Sequence, residues 1–138
     1  MQYNDNLLPF KDIQKVYCIN VKENVQRREF METQFNLLEI DPSIIEFIDA
    51  VTPSSDEYRK QKRRGKLNYK NKTKQAISLS HKNIWDDIKK NQYYAALVLE
   101  DDIEFNISYL KELKNRISLY PLKEKRYFIH LLTSYPDA

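Results

Sequence analysis

Short apolar segments alternate with longer polar segments along this chain. Four runs rich in β-branched and aromatic residues predict strands at residues 16–21, 44–51, 93–99 and 126–132. Apolar residues spaced three and four apart predict helices over 26–39, 73–90 and 107–117. The alternation indicates an α/β domain whose mainly parallel sheet is flanked by helices.

The spacing also predicts which residues face the core. The first helix is expected to bury a stripe consisting of Phe30, Gln34, Leu37 and Leu38, with Met31 and Phe35 beside it. The second is expected to bury one face formed by Ile77, Ser80, His81, Ile84, Trp85 and Ile88. Trp85 is therefore predicted to be a core residue and not a platform for a sugar. The run at 93–99 is uniformly apolar, as expected of a central parallel strand buried on both faces.

The most informative motif is an acidic triplet, Glu100, Asp101 and Asp102, that directly follows the third apolar run. Adjacent carboxylates at the end of a buried strand repel one another and lose hydration, and a divalent cation would offset both costs. Mg²⁺ and Mn²⁺ prefer such oxygen ligands and often share them with substrate phosphates. Two alternatives stay open, because Asp102 would also suit a helix cap and the other two would suit a solvated loop.

The location of the triplet favours a binding site. In parallel α/β sheets, ligands bind beyond the carboxyl ends of the strands. The triplet follows one strand, and the polar segment after Asn20 follows another. We therefore expect these two distant parts of the chain to lie close together.

Composition narrows the possible classes of protein. The 138 residues suit a single domain, residues 1–138, and 41% hydrophobic with 31% charged residues indicates a folded protein with a polar surface. The single glycine, Gly65, excludes a Gly-rich phosphate loop, and the single cysteine, Cys18, excludes an internal disulfide. No signal peptide or membrane span is evident, which predicts a cytoplasmic protein.

Residues 59–74 contain nine lysines and arginines and no carboxylate, and they are expected to form an exposed basic loop or a short helix. Such a segment would suit single-stranded nucleic acid, with Tyr58 and Tyr69 stacking on bases. The net charge of only +3 argues against a dedicated nucleic-acid-binding protein. The preferred interpretation is a loop that closes over an anionic nucleotide, and a plain solvated linker is the alternative.

Four segments in order along residues 15–105 resemble glycosyltransferase family 25, which includes bacterial lipooligosaccharide galactosyltransferases and collagen galactosyltransferases. Residues 17–21 with Arg27 and Arg28 resemble the family's first strand and its downstream arginine. Residues 47–51 resemble its second strand, residues 77–81 its Leu-Ser-His helix, and residues 97–102 its Glu-Asp-Asp signature. The resemblance implies a GT-A fold, a UDP-hexose donor, Mn²⁺ or Mg²⁺, and a glycan or hydroxylysine-type acceptor.

The resemblance also implies roles for individual residues. Asp102 would bind the metal directly, with Glu100 as a second ligand, and Glu100 and Asp101 would also contact the donor. Arg27 and Arg28 would bind donor phosphates, because one guanidinium group can donate two hydrogen bonds to such oxygens. The alternative is a solvated first helical turn, although the helix dipole disfavours cations there.

Several assignments keep alternatives. His81 is either a structural histidine or a polar contact in the donor site, and Asn20 either binds the nucleotide base or caps a turn. His130 is expected in the core or at an edge of the sheet. No residue is assigned as the general base, since that group is expected in the acceptor half.

The chain departs from the family pattern in two respects. Lys74, Gln75 and Ala76 stand where relatives have glycines, and the family's catalytic domain extends well beyond 138 residues. The leading hypothesis is transfer of galactose or glucose from a UDP-sugar to a glycan or protein acceptor. The alternatives are a noncatalytic fragment or interaction module of the same fold, and a nucleic-acid-binding protein.

Overall fold

The computed structural model describes residues 13–63 and 71–117. Its strands and helices, in chain order, are β1 (Lys15–Asn20), α1 (Val25–Leu37), a short 3₁₀ turn (Pro42–Ile44), β2 (Ile45–Asp49), α2 (Asp56–Arg63), α3 (Lys72–Asn91), β3 (Ala96–Glu100) and α4 (Ile107–Ile117). The predicted α/β class is confirmed. The fourth predicted strand, 126–132, and His130 lie outside the described residues.

The three described strands form one parallel sheet in the order β2-β1-β3. Strand β1 therefore has a neighbour on each side, and every residue after Lys15 in it is buried. Burial alternates along β3, which borders only β1 within residues 13–63 and 71–117. In the described sheet the central position thus belongs to β1 and not to the run at 93–99.

Alternation along β1 divides the core into two layers. Val16 and Cys18 lie on the side covered by α1 and α4, where they pack with Met31, Phe35 and Leu110. Tyr17 and Ile19 lie on the other side and pack with Ile84 of α3. Successive residues of a strand point to opposite faces, so this one strand supplies side chains to both layers.

Helix α1 buries a different stripe from the predicted one. Met31 and Phe35 are buried, and Leu38 follows them in the same core cluster. Phe30 remains 45% exposed and Leu37 is also exposed, so the prediction that they face the core is wrong. Both stripes have helical spacing, and the position of the sheet determines which of the two becomes buried.

Helix α3 also differs from its predicted face. Ile84 and Ser80 are buried as predicted, but Trp85 is 50% exposed, and Ile77 is exposed too. The prediction that Trp85 belongs to the core is therefore wrong. One residue along a helix turns the side chain by about 100°, so burying Ile84 directs Trp85 away from the sheet.

A third cluster joins α2 to α3. Tyr58 of α2 packs with Ala76 and Leu79 of α3, and its hydroxyl donates to Gln75 Oε1 at 2.6 Å. Residues 59–63 of the predicted basic loop therefore belong to a helix, whereas residues 64–70 lie outside the described part.

Helix α3 begins after Asn71, whose side chain accepts from the Thr73 and Lys74 amides. No helix in the described ranges is both long and apolar enough to cross a membrane.

Candidate functional site

The carboxyl ends of the three strands meet at one edge of the sheet. In the strand register, Asn20 lies opposite Asp49 of β2, and Ile19 lies opposite Glu100 of β3. This is the edge at which parallel α/β sheets bind ligands. The expectation that the segment after Asn20 lies near the acidic triplet is confirmed, and we call this region the carboxyl edge.

On the α1 side of the carboxyl edge, three predicted residues are in direct contact. Asn20 Nδ2 donates to Asp101 Oδ2 at 2.8 Å, and Arg27 Nη1 lies 3.4 Å from Asp101 Oδ1. Asn20 is 3% and Asp101 8% exposed, whereas the Arg27 side chain is largely exposed. Burying a carboxylate is costly without donors, and Asn20 and Arg27 each supply one.

Local structure explains why Arg27 reaches this position. Asn24 caps α1 by accepting from the Arg27 amide at 3.2 Å, and its own carbonyl lies 3.3 Å from Asn20 Nδ2. Asn20 thus bonds both to the start of α1 and to the residue after β3. The first turn of α1 is thereby held against the carboxyl edge.

On the α3 side, Glu100 lies beside His81. The distance between His81 Nε2 and Glu100 Oε1 is 3.7 Å, and both side chains are partly exposed to solvent. The His81 ring lies 6.3 Å from the Trp85 ring, measured between centroids. Glu100 and Asp101 therefore point to opposite sides of the sheet, and the acidic triplet does not form one cluster.

Asp102 is exposed in the turn that follows β3. Within residues 13–63 and 71–117, no three His, Cys, Asp or Glu side chains are grouped so as to hold a metal ion by themselves. The carboxylates of Asp102 and Glu100 are nevertheless hard oxygen donors of the kind that Mg²⁺ and Mn²⁺ take. A metal ion bound by these two carboxylates would need further ligands, such as the phosphates of a substrate.

Arg28 makes different contacts from Arg27. Its Nε lies 2.9 Å from Glu32 Oε1, and its Cζ lies 4.4 Å from the centre of the Phe47 ring. The contact with Phe47 attaches α1 to β2, whereas Glu32 belongs to α1 itself. The structure thus brings Asn20, Arg27 and Asp101 together, and His81 with Glu100, whereas Arg28 contacts neither group in the described structure.

Gln34 is a positioning residue that the sequence interpretation missed. Its Nε2 donates to the Ile103 carbonyl at 2.9 Å, and its Oε1 accepts from the Phe105 amide at 2.8 Å. One side chain of α1 thereby holds the backbone that directly follows the acidic triplet. A usable signal was present, because Gln34 is a polar residue within an otherwise apolar predicted stripe.

Ser80 has a similar role on the α3 side. Its hydroxyl accepts from the Val51 amide at 2.8 Å and donates to the Ala76 carbonyl at 3.2 Å. The connection after β2 is therefore attached to α3 one residue before His81. Asp49 lies at the same edge of the sheet, where its carboxylate accepts a hydrogen bond from the Lys22 amide at 3.2 Å.

Two buried ionisable groups lie in β1 below the carboxyl edge. Burial, reinforced by the negative charge of Asp101, raises the pKa of Cys18 to about 12, although Arg28 opposes the shift. Burial and a hydrogen bond to Asp87 at 2.5 Å raise the pKa of Tyr17 well above its ordinary value. Cys18 is thus a neutral thiol at physiological pH and is no candidate nucleophile.

Comparison with known proteins adds two findings. The model of glycosyltransferase family 25 (LPS biosynthesis protein) matches residues 13–135. Procollagen galactosyltransferase 1-A of Xenopus laevis is 26% identical over 108 residues, which is 72% of this chain and 18% of that relative. The chain thus spans less than a fifth of the relative's length, and the matched family region includes every residue of the carboxyl edge named above.

Proposed function

This chain belongs to glycosyltransferase family 25, and on that premise we propose that it binds a UDP-hexose at the carboxyl edge and transfers the sugar to a glycan or protein acceptor. Galactose and glucose are the proposed sugars, and a GT-A type of donor site is part of the proposal. The relative named a procollagen galactosyltransferase supports galactose and a protein acceptor.

The observation that carries this proposal is the meeting of Asn20, Arg27 and Asp101 at the carboxyl edge. Asp101 anchors the Arg27 guanidinium, and most of the Arg27 side chain remains exposed to solvent. A guanidinium group in that position can donate to the oxygens of a diphosphate. Asn20 holds Asp101 in place, and because Asn20 is itself buried its proposed role is to position Asp101 and not to contact the nucleotide.

Asp102 and Glu100 are the residues that would hold Mn²⁺ or Mg²⁺. When bound, such an ion neutralises charge on the diphosphate leaving group. His81 lies beside Glu100 and would contribute a polar contact to the donor. Gln34 keeps the segment after the triplet in position without touching the donor itself.

Isothermal titration calorimetry of the purified chain with UDP tests the donor site. We expect binding with saturating Mn²⁺ and affinity at least about tenfold weaker in EDTA. Asp102→Asn and Glu100→Gln should each weaken Mn²⁺-dependent binding, since both remove a charged oxygen ligand. Glu104→Gln is the matched control, because Glu104 is another exposed carboxylate of the same segment. Absence of UDP binding in saturating Mn²⁺ would contradict the proposal.

Donor hydrolysis tests the sugar separately from nucleotide binding. Release of UDP from UDP-galactose and from UDP-glucose should be compared with and without Mn²⁺. We expect faster release from one of the two than from UDP-N-acetylglucosamine. Equal release from all three would contradict hexose selectivity, whereas the calorimetry would still decide whether the nucleotide binds.

A further inference from the structure

Three polar side chains form a row across the α1 side of the carboxyl edge, one at the end of each strand. They are Asp49, Asn20 and Asp101, and the residue two positions before each of them packs in the core layer beneath α1. Side chains two residues apart in a strand point to the same face. Asn20 is the register partner of Asp49, and Asp101 directly follows the residue paired with Ile19. The row therefore runs from β2 across β1 to β3.

The members of this row differ in what they contact. Asn20 and Asp101 are buried and bonded to each other, and Arg27 lies beside Asp101. Asp49 is exposed, and its Oδ1 accepts from the Lys22 amide at 3.2 Å. None of the ion pairs in the described ranges involves Asp49, and its second oxygen accepts no hydrogen bond there. Asp49 thus offers an oriented carboxylate oxygen to a ligand at this edge.

The charges along the row indicate which part of a nucleotide suits each end. Arg27 and the proposed metal ligands lie at the β3 end, where they suit the diphosphate. Asp49 lies two strand spacings away, or about 10 Å. Its carboxylate repels phosphate oxygens and accepts hydrogen bonds from neutral hydroxyl groups. The ribose is the part of the nucleotide that carries such hydroxyls, and an acidic side chain binds a ribose hydroxyl in dinucleotide-binding α/β folds.

We propose that Asp49 accepts hydrogen bonds from the ribose hydroxyls of the nucleotide and makes the site selective for ribonucleotides over deoxyribonucleotides. The inference deepens the proposed function and rests on it, because it assigns the ribose to the β2 end of the row and the diphosphate to the β3 end. The bond from the Lys22 amide orients the Asp49 carboxylate before the nucleotide binds, which reduces the cost of ordering it.

Isothermal titration calorimetry in saturating Mn²⁺ with UDP and with 2′-deoxyuridine diphosphate tests this role. The two probes have the same base and the same phosphates, so the ratio of their affinities reports on the 2′-hydroxyl. We expect UDP to bind about tenfold more tightly, the usual value of a hydrogen bond to a charged group. Equal affinities for the two probes overturn the proposal.

Substitutions of Asp49 identify the group that reads the hydroxyl. Asp49→Ala should bring the two affinities to within about twofold of each other, because the acceptor is lost. Asp49→Asn keeps an oxygen for the Lys22 amide but lacks the charge, so an intermediate ratio of about threefold is expected. If Asp49 only supported the fold, both nucleotides would bind more weakly and their ratio would stay unchanged, which overturns the proposal. The asparagine variant keeps the test decisive if the alanine variant unfolds.

Glu46→Gln is the matched control. Glu46 is an exposed carboxylate of the same strand, three residues before Asp49, and it pairs with Lys15 at 3.3 Å. The ratio of the two affinities should remain that of the unaltered chain. A ratio that falls as far in this variant as in Asp49→Ala would show that the effect is not specific to Asp49 and would overturn the proposal.

The two proposals fail in different ways. Binding of UDP with an affinity equal to that of the deoxynucleotide would leave the donor site standing and remove the role of Asp49. Absence of UDP binding in saturating Mn²⁺ would contradict the proposed function, and the role of Asp49 would be overturned with it.

Discussion

The side-chain amide of Asn20 donates a 2.8 Å hydrogen bond to Asp101, across 81 residues of sequence, and both groups are buried. This bond joins the end of the central strand to the residue that follows β3. Because Asp101 also contacts Arg27, the bond connects three segments of the carboxyl edge. The stability of this edge and the donor binding proposed for it therefore depend on the same contact.

We predict that Asn20→Ala destabilises the fold by about 1–3 kcal/mol, because the buried Asp101 carboxylate loses a donor. Urea denaturation followed by circular dichroism measures the change. Asn20→Asp should cost more, since it places a second carboxylate against the first.

Asn83→Ala is the control for this prediction. Asn83 Nδ2 also donates to a carboxylate, that of Glu57, at 2.8 Å, but this bond is exposed to solvent. We expect a change within about 0.5 kcal/mol. If the Asn20→Ala and Asn83→Ala variants lose the same free energy of unfolding, burial of the Asn20 bond has no special effect.

Gln34→Leu should loosen the segment after the acidic triplet, because both backbone bonds from Gln34 to residues 103 and 105 are lost. Hydrogen exchange at the Phe105 amide should become roughly three- to tenfold faster, as expected for the loss of a net hydrogen bond. Asn36→Leu on the same helix is the control, since Asn36 is exposed. Unchanged exchange at Phe105 would mean that Gln34 does not hold this backbone.

The two neighbouring arginines should differ in their effects. Arg28→Ala should reduce the free energy of unfolding by about 0.5–1 kcal/mol, because its stacking on Phe47 is lost. Arg27→Ala should have the larger effect on UDP affinity, since its guanidinium lies at the carboxyl edge beside Asp101. Calorimetry with UDP and urea denaturation of both variants separate the effects. If Arg28→Ala instead has the larger effect on UDP affinity, then Arg28 and not Arg27 contacts the phosphates.

Stability should fall at alkaline pH. The ordinary pKa of a cysteine is 9.0, whereas that of Cys18 in the folded protein is about 12. Between these values the unfolded chain releases a proton that the folded protein retains, so the free energy of unfolding decreases as pH rises. The raised pKa of Tyr17 acts in the same direction. Urea titrations from pH 8 to about 11 measure this slope.

Cys18→Ala should make that slope shallower, even if the variant is less stable at every pH. Because the prediction concerns the change with pH, the loss of packing in the variant does not obscure it. An identical slope in both proteins would show that Cys18 is not the group responsible. Cys18 should also resist thiol reagents at neutral pH, since it is buried and protonated.

Much of the fold follows from local patterns. The apolar run in β1 and the helical spacing in α1 and α3 identify elements that the structure contains, with bounds that differ by a few residues. The acidic triplet follows β3 as expected. The wrong predictions concern faces, as with Phe30 and Trp85, because periodicity identifies several possible apolar stripes and not the one that meets the sheet.

The sequence by itself determined the α/β class, the family, and the presence of Glu100, Asp101 and Asp102 at the end of a strand. Only the tertiary structure decided that Asp101 turns to Asn20 and Arg27 while Glu100 turns to His81. The physical reason is that helices cover both faces of the sheet and successive strand residues point to opposite faces. Neighbouring carboxylates in the chain therefore belong to different surroundings once α1 and α3 have packed on the sheet.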